Sequence, residues 1–231
     1  IRELEQAGEF PRALYREMGE LGLFGCCFPE SLGGTGAGFV ALAAVAEQLA
    51  WVYPPLTAAM NLQAATVPQT IANWGSAAQV QRWVPALIAG DALGANAMTE
   101  PDGGSDLLGA MRTRAVRDGD SWIINGSKMF TSNAHNAQYV FLITNTDPGA
   151  PKHQSLTMFL VPMDSPGVEV QGIRTVDGDR TNITYYSDVR VPDRYRVGEV
   201  NGGWAVLRGA LDAEHGTVER DKTGLDKIAV M

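Results

Sequence analysis

Hydrophobic residues recur at helical spacing along the first part of the chain. Leu14, Met18 and Leu21 fall on one face if residues 10–23 form a helix. The segment 38–52 is apolar on almost every side, which is typical of a helix that is buried all round. The pattern therefore predicts a helical N-terminal region.

Two further segments carry residues that mark helix boundaries. Residues 54–75 begin with proline and end with glycine, and Pro68 inside them predicts a break or a kink. Ser76 and Gln79 have the S-x-x-Q spacing of a capping box, in which each side chain bonds the other residue's backbone N–H. This spacing predicts that a new helix opens over residues 77–90.

Short apolar or alternating runs replace the helical pattern after Gly90. From residue 92 to about 198 they are separated by Gly, Asp, Pro and Asn, which is typical of an antiparallel sheet or barrel. Helical spacing returns in residues 204–220. We therefore predict an α+β multidomain fold with an N-terminal α-helical domain (1–93), a middle antiparallel β-barrel domain (94–200) and the beginning of a C-terminal helical domain (201–231).

Composition narrows the class of protein. The net charge of −8 argues against a general nucleic-acid or anionic-membrane surface, and no apolar run is long enough for a membrane span. Cys26 and Cys27 are adjacent and cannot form an ordinary disulfide, which favours a reducing compartment and predicts a cytoplasmic location. His135, His153 and His215 lie far apart without zinc-like spacing, so no metal site is predicted. We expect the chain to be incomplete at both ends.

The stretch AMTEPDGGSD, residues 97–106, combines turn residues with hydroxyl groups. Its hydroxyls, on Thr99 and Ser105, and its free backbone amides suit a phosphate or the polar edge of a ring. Pro, Asp and Gly in this arrangement are equally at home in a plain connecting turn. The segment alone does not decide between these two interpretations.

A second segment follows the apolar run SWII. The dipeptide Asn125-Gly126 is a strong hairpin signal, and the hairpin would place Phe130 and Ser132 on one face of the next strand. An aromatic ring and a hydroxyl on one face could cover a flat ring and bond its edge. The alternative is a phenylalanine in the core and a serine at the surface.

A third candidate lies in the last helical segment. Trp204, Leu207, Leu211 and Glu214 fall on one side of the predicted helix. A carboxylate on an apolar stripe is costly unless it is paired or functional, and desolvation would raise its pKa and make it a stronger base. The alternative is a glutamate at the edge of the stripe that reaches solvent or an arginine.

Taken in order, these motifs resemble the acyl-CoA dehydrogenase family. They are AMTEPDGGSD, NGSKMFTSN, FLVPMDSPGV, DVRVP and GEVNGGW, and they run across essentially the whole chain. The resemblance implies an N-terminal helical domain, a middle β-domain and a C-terminal four-helix bundle, of which this chain carries the first helix from about Trp204. It also implies FAD as cofactor and an oxidoreductase of fatty-acid β-oxidation and lipid metabolism.

The resemblance assigns roles to individual positions. Those that it places at the flavin cofactor are Met98 and Thr99 at the ring, Gly104 and Ser105 at the phosphates, Phe130 against the isoalloxazine, and Ser132 near N5. It also places Ser105 and Asp212 at the acyl-CoA substrate, and Glu214 at one of the family's two positions for the catalytic base. In most members that base lies in the bundle, beyond Met231. His215 departs from the family, because an arginine is usual there and a neutral histidine cannot supply its permanent charge.

The implied reaction is oxidation of an acyl-CoA to a trans-2-enoyl-CoA, with an electron-transfer flavoprotein as the electron acceptor. The implied assembly is a homodimer or homotetramer, with a heteromer as a further form. Two other functions remain open: a non-catalytic subunit of a heteromeric acyl-CoA dehydrogenase, and a related flavin-dependent oxidase. A structural role without cofactor is a third.

Overall fold

The computed structural model describes residues 9–176 and 180–214. Its N-terminal helices are α1 (Arg12–Glu20), α2 (Gly38–Val52), α3 (Pro54–Asn61), α4 (Val67–Trp74) and α5 (Ala77–Ile88). On α1, Met18 is buried and Leu14 is half-buried, but Leu21 lies just past the helix and is 69% exposed. The predicted helix is confirmed, and its predicted apolar face is covered only in part.

The prediction that residues 38–52 are buried all round is wrong. Among the fifteen residues of α2, Leu42 alone is buried, whereas Val40 and Trp51 are 75% and 81% exposed. Within the described ranges α2 packs chiefly on α3. Periodicity reveals which side chains of a helix are apolar, but it does not reveal which neighbours cover them.

The predicted break near Pro68 is a π-helical turn, Leu62–Thr66, which joins α3 to α4. Gln63 in this turn is completely buried. Its Nε2 donates to the carbonyl of Gly94 at 2.9 Å, and its Oε1 accepts from the N–H of Gly94 at 3.3 Å. The irregular turn therefore attaches the helical layer to the first strand of the sheet.

The middle of the chain is one eight-stranded sheet. Its strands are β1 (Gly94–Ala97), β2 (Arg114–Asp118), β3 (Ser121–Lys128), β4 (Tyr139–Asn145), β5 (Leu156–Pro162), β6 (Val168–Arg174), β7 (Arg180–Pro192) and β8 (Arg196–Val197). The order is β6-β7-β3-β2-β4-β5-β8, and β1 pairs with β4. Most pairings are antiparallel, but β1 and β2 run parallel to β4.

The α+β fold class is confirmed, and the word barrel needs correction. Within the described residues the end strands β6 and β8 do not pair with each other, so the sheet is open. β4 and β5 are buried along almost their whole length because other layers cover them. A short helix, α6 (Leu107–Ala110), precedes β2. The last helix, α7 (Gly203–Glu214), packs on α4, on the π-helical turn and on β5.

Helix α5 is fixed to the sheet at its N-terminus. The predicted capping box is confirmed: Ser76 N–H donates to Gln79 Oε1 at 2.7 Å, and Gln79 N–H donates to Ser76 Oγ at 3.3 Å. Gln79 Nε2 donates in addition to the carbonyls of Arg194 and Arg196, at 2.9 and 2.7 Å. One side chain therefore both starts the helix and docks it on the segment that leads into β8.

The docking segment has its own anchor in Asp193. Its carboxylate accepts from Trp122 Nε1 at 2.7 Å and from Arg196 Nε at 3.0 Å. The hydrogen bonds from Arg196 and the one from Trp122 outweigh the effect of partial burial and hold the pKa of Asp193 below its usual value.

None of the helices in the described ranges is long and apolar enough to cross a membrane.

We expect Gln79→Ala to lower the free energy of unfolding by about 2–3 kcal/mol, because one cap and two further hydrogen bonds are lost. Urea unfolding followed by circular dichroism measures the change. Gln81→Ala, an exposed glutamine on the same helix, is the matched control and should stay within about 0.5 kcal/mol of the parent. Equal effects of the two substitutions would contradict the docking role.

We expect Asp193→Asn to destabilise the protein by about 1.5–3 kcal/mol at neutral pH, because its hydrogen bonds involve a charged group. The folded-state pKa of Asp193 lies below the unfolded value of 3.8. Its stabilising effect is therefore present above pH 3.8 and is lost as the pH falls through the folded-state pKa. Urea unfolding of both proteins across this range should show the difference shrinking on acidification. A difference that is independent of pH would contradict this assignment.

Candidate functional site

The two predicted motifs of the β-domain lie side by side. The N–H of Met129 donates to the carbonyl of Thr99 at 2.8 Å, which joins the end of β3 to the turn after β1. Met98 and Thr99 are both half-buried at this junction. The structure thus places the segments 98–106 and 128–133 in direct contact.

A buried ion pair reinforces the junction. Lys128 Nζ lies 2.9 Å from Glu100 Oε1, and the two side chains are 0% and 3% exposed. Lys128 Nζ also donates to the carbonyl of Met98 at 3.2 Å and lies 3.3 Å from the sulfur of Met111. An ammonium group has three N–H donors, and each of these three has an acceptor.

The carboxylate of Glu100 is equally well satisfied. Besides Lys128, it accepts from the backbone N–H groups of Arg112 at 2.5 Å and Thr113 at 3.0 Å. Burial alone would raise the pKa of Glu100, but the charge of Lys128 and the hydrogen bonds hold it below its usual value. Burial lowers the pKa of Lys128 to about 8, against the opposing effect of Glu100. Both groups are therefore charged at neutral pH.

Sequence reasoning missed this pair, although a signal for it exists. Trp122 and Ile124 are the buried positions of β3, and Lys128 falls on the same alternation. A lysine at a core position of a strand needs a buried partner. The nearby carboxylate of Glu100, in the other predicted motif, was a visible candidate.

The turn between β1 and α6 presents two of the predicted cofactor residues to solvent. Glu100 and Gly103 exchange both backbone hydrogen bonds at 3.1 Å, which closes the turn. Gly104 and Ser105 follow it and are exposed. Asp106 then accepts from the N–H of Gly109 at 2.9 Å and starts α6. Exposed amides and a hydroxyl on a closed turn suit a phosphate group.

The prediction of a hairpin at Asn125-Gly126 is wrong. β3 runs straight through both residues, opposite a bulge in β7 that shifts the register between Ile124 and Gly126, and the β2–β3 hairpin turns at residues 119–120 instead. Gly126 has φ 146°, and a Cβ on it would lie 2.6 Å from Thr113 Cα. The glycine is therefore required by close approach of a neighbouring segment, as is common at bulges.

Phe130 and Ser132 lie in the loop after β3 rather than on a strand. Thr131 between them is buried: its N–H donates to the carbonyl of Asn182 at 2.8 Å, and its carbonyl accepts from Asn182 Nδ2 at 2.9 Å. Ser132 is exposed, and Phe130 is 57% exposed with a left-handed φ of 59°. A bulky residue in this conformation is uncommon and often marks a functional site.

The last helix forms a separate part of the candidate site. On α7 the residues Val206, Leu207 and Ala210 are buried, so its inner face is rotated from the predicted stripe, in which Trp204 and Leu211 are half-buried. Asp212 is exposed. Glu214 is the last residue of α7, and the prediction for its side chain lies outside the described residues, as does the one for His215.

Two grooves open elsewhere on the described surface. One of about 520 Å³ lies between the start of α5 and residues 193–199. The other, of about 570 Å³, lies beside the Phe130 loop and is lined by residues that include His135 and Tyr139. None of the six predicted cofactor residues lines either groove. The four of them that are exposed, Gly104, Ser105, Phe130 and Ser132, lie on the open surface of the protein.

Comparison with known proteins separates the helical N-terminal region from the β-sheet region that follows it. The family model for the acyl-CoA dehydrogenase N-terminal domain matches residues 1–91, and the model for the middle domain matches residues 95–189. Acyl-CoA dehydrogenase FadE29 of Mycobacterium tuberculosis is 40% identical over 92% of this chain and 54% of its own length. The chain spans about half the length of the curated relatives it matches.

Solved structures agree with this assignment. An acyl-CoA dehydrogenase from Geobacillus kaustophilus has a TM-score of 0.87 and 32% identity, over 93% of this chain and 57% of that one. The ChsE4-ChsE5 complex from Mycobacterium tuberculosis has a TM-score of 0.82 and 34% identity, over 92% of this chain and 54% of that one. The same helical layer, sheet and last helix recur in a family whose named members are oxidoreductases. This chain belongs to the acyl-CoA dehydrogenase family.

Proposed function

We propose that the protein is a FAD-dependent acyl-CoA dehydrogenase that converts an acyl-CoA thioester into a trans-2-enoyl-CoA. The observation that carries this proposal is the exposed, left-handed Phe130 held beside Thr99 by the Met129–Thr99 hydrogen bond. Membership of the family supplies the reaction class. The local geometry supplies a surface on which a flat, polar-edged cofactor can lie.

The residues present fit a flavin. The exposed ring of Phe130 offers a flat apolar surface, and the hydroxyls of exposed Ser132 and half-buried Thr99, on the same two segments, offer hydrogen bonds. Met98 adds apolar contact at the junction. Gly104 and Ser105 would hold the diphosphate through exposed amides and a hydroxyl, as backbone nests do. When bound, FAD supplies the hydride acceptor for the reaction.

The chain also carries candidates for the substrate side. We assign Glu214 as the base that removes the α-proton of the thioester, while the β-hydrogen leaves with its electron pair for the cofactor and a double bond forms between the two carbons. Asp212, two residues earlier and exposed on α7, would contact the pantetheine arm. Ser105 would serve both the cofactor and the acyl-CoA.

Reoxidation needs an electron acceptor, for which we propose an electron-transfer flavoprotein in the cytoplasm. We propose a homodimer or homotetramer as the assembly.

The domain limits that we propose are 1–93, 94–200 and 201–231. Since these limits rest on sequence pattern, limited proteolysis is their direct test.

A second candidate function is one subunit of a heteromeric enzyme. Two observations favour it: His215 stands where the family usually has arginine, and the similar ChsE4-ChsE5 structure is a complex of two named components. In that case the base would come from a second kind of chain. Purification of the native assembly, with identification of its subunits, distinguishes one kind of chain from two.

We expect the intact gene product to bind FAD, and Phe130→Ala to weaken the affinity about fivefold, because loss of an aromatic contact costs about 1 kcal/mol. Titration followed by flavin fluorescence measures this affinity. Trp51→Ala, which removes another exposed aromatic residue, on a helix that carries none of the predicted cofactor residues, is the control and should leave the affinity unchanged. A protein that stays colourless when FAD is added would refute the proposal.

We expect Glu214→Gln to slow anaerobic bleaching of the flavin by acyl-CoA at least about 100-fold, the usual contribution of a general base. The assay uses a panel of acyl-CoA substrates, and Glu199→Gln, an exposed glutamate outside the proposed site, is the control. Unchanged bleaching in Glu214→Gln would place the base elsewhere. Rapid oxygen consumption by the parent would instead identify an oxidase.

A further inference from the structure

We infer that the buried Glu100–Lys128 pair is a positioning device that fixes Phe130 relative to Thr99, and with it the shape of the flavin surface. This inference rests on the function proposed above, since it concerns the same two loops. It adds two residues to which no cofactor contact has been assigned. Both act through their neighbours, Glu100 being adjacent to Thr99 and Lys128 lying two residues before Phe130.

The pair joins three separate segments of the chain. Lys128 Nζ reaches the carbonyl of Met98 and the carboxylate of Glu100 in the first segment, and the sulfur of Met111 in the second. Glu100 in turn accepts from the backbone at 112 and 113. The third segment is the end of β3 itself. Because all three N–H donors of Lys128 and both carboxylate oxygens of Glu100 have partners, their geometry permits little displacement.

Phe130 is held between two anchors. On its N-terminal side Lys128 is fixed by the ion pair and Met129 by Thr99; on its C-terminal side Thr131 is fixed by two hydrogen bonds to Asn182. Phe130 is the one residue between these fixed points, and it has the left-handed φ of 59°. A backbone that relieves this conformation would have to release one of the anchors. Loss of the Lys128 anchor should therefore move the Phe130 ring.

An apolar pair would serve stability as well. Replacing a buried ion pair by well-packed hydrophobic residues is often neutral or stabilising. What an apolar pair lacks is direction, because hydrophobic contacts do not select one orientation of the segments that make them. The directional bonds of Glu100 and Lys128 thus suit a site in which a ring and a hydroxyl must be held at a set separation.

The test uses a double variant, Lys128→Met with Glu100→Gln, in the intact gene product. It removes both charges together, so no uncompensated buried charge remains, and the glutamine oxygen can still accept from one of the two backbone amides that Glu100 now bonds. Arg190→Met is the matched control, because it breaks the exposed ion pair with Asp118 elsewhere in the sheet. Circular dichroism confirms that each protein is folded, and the single variant Lys128→Met is compared where it folds.

Two measurements are made on each protein. Hydrogen exchange, without cofactor, follows the N–H of Met129, which donates to Thr99. Flavin fluorescence and absorption follow the affinity for FAD and the environment of its ring. We expect the double variant to exchange the Met129 amide at least about tenfold faster, to bind FAD at least about tenfold more weakly and to shift the flavin absorption band. The control should match the parent in all three.

Each other outcome has a definite meaning. Unchanged exchange at Met129 overturns the inference, because the pair would then not hold the loops together. Faster exchange with unchanged FAD affinity and spectrum also overturns it, because the loops would then not shape the flavin surface. A parent protein that binds no FAD refutes the proposed function and removes the cofactor role of the pair, even if exchange at Met129 responds to the substitutions.

Discussion

The candidate site depends on one contact, the buried ion pair between Glu100 and Lys128. Two charges inside a protein are tolerated only when their mutual attraction and further hydrogen bonds offset the loss of water. Here Lys128 gains hydrogen bonds to the carbonyl of Met98 and the sulfur of Met111, and Glu100 gains them from the backbone N–H groups at 112 and 113. The turn after β1 and the loop after β3 therefore take their relative position from a polar interaction that has few alternative geometries.

The same principle operates where the helices meet the sheet. Gln63 bonds both backbone groups of Gly94, and Gln79 bonds two carbonyls beside β8. Hydrophobic burial supplies the driving force for packing these layers, but it is not directional. Buried amides that bond backbone groups add the orientation, since misplacing them would leave polar groups unsatisfied. Rigid placement of α4, and of α7 packed on it, follows from these contacts.

Local signals allowed much of the fold to be predicted. The succession of helical, β and helical regions and the capping box at Ser76 are written in short stretches of sequence, and the structure contains both. The errors arose where distant neighbours decide. Gly126 was interpreted as a hairpin residue, but it serves close approach to Thr113, which no local pattern reveals. Likewise α2 is apolar on almost every side, yet Leu42 is its one buried residue among those that the structure describes. Phe130 and Ser132 are both exposed, but the reason is not strand alternation. They lie in a loop on either side of Thr131, whose side chain is buried.

A crystal structure of the intact gene product with FAD would show directly whether the two loops hold the flavin. We expect the isoalloxazine ring against the side chain of Phe130, with Ser132 and Thr99 at its polar edge and the diphosphate at Gly104 and Ser105. A flavin bound elsewhere, for example in the groove between α5 and residues 193–199, would contradict it. So would a flavin at the predicted place that touches neither the Phe130 ring nor the turn after β1.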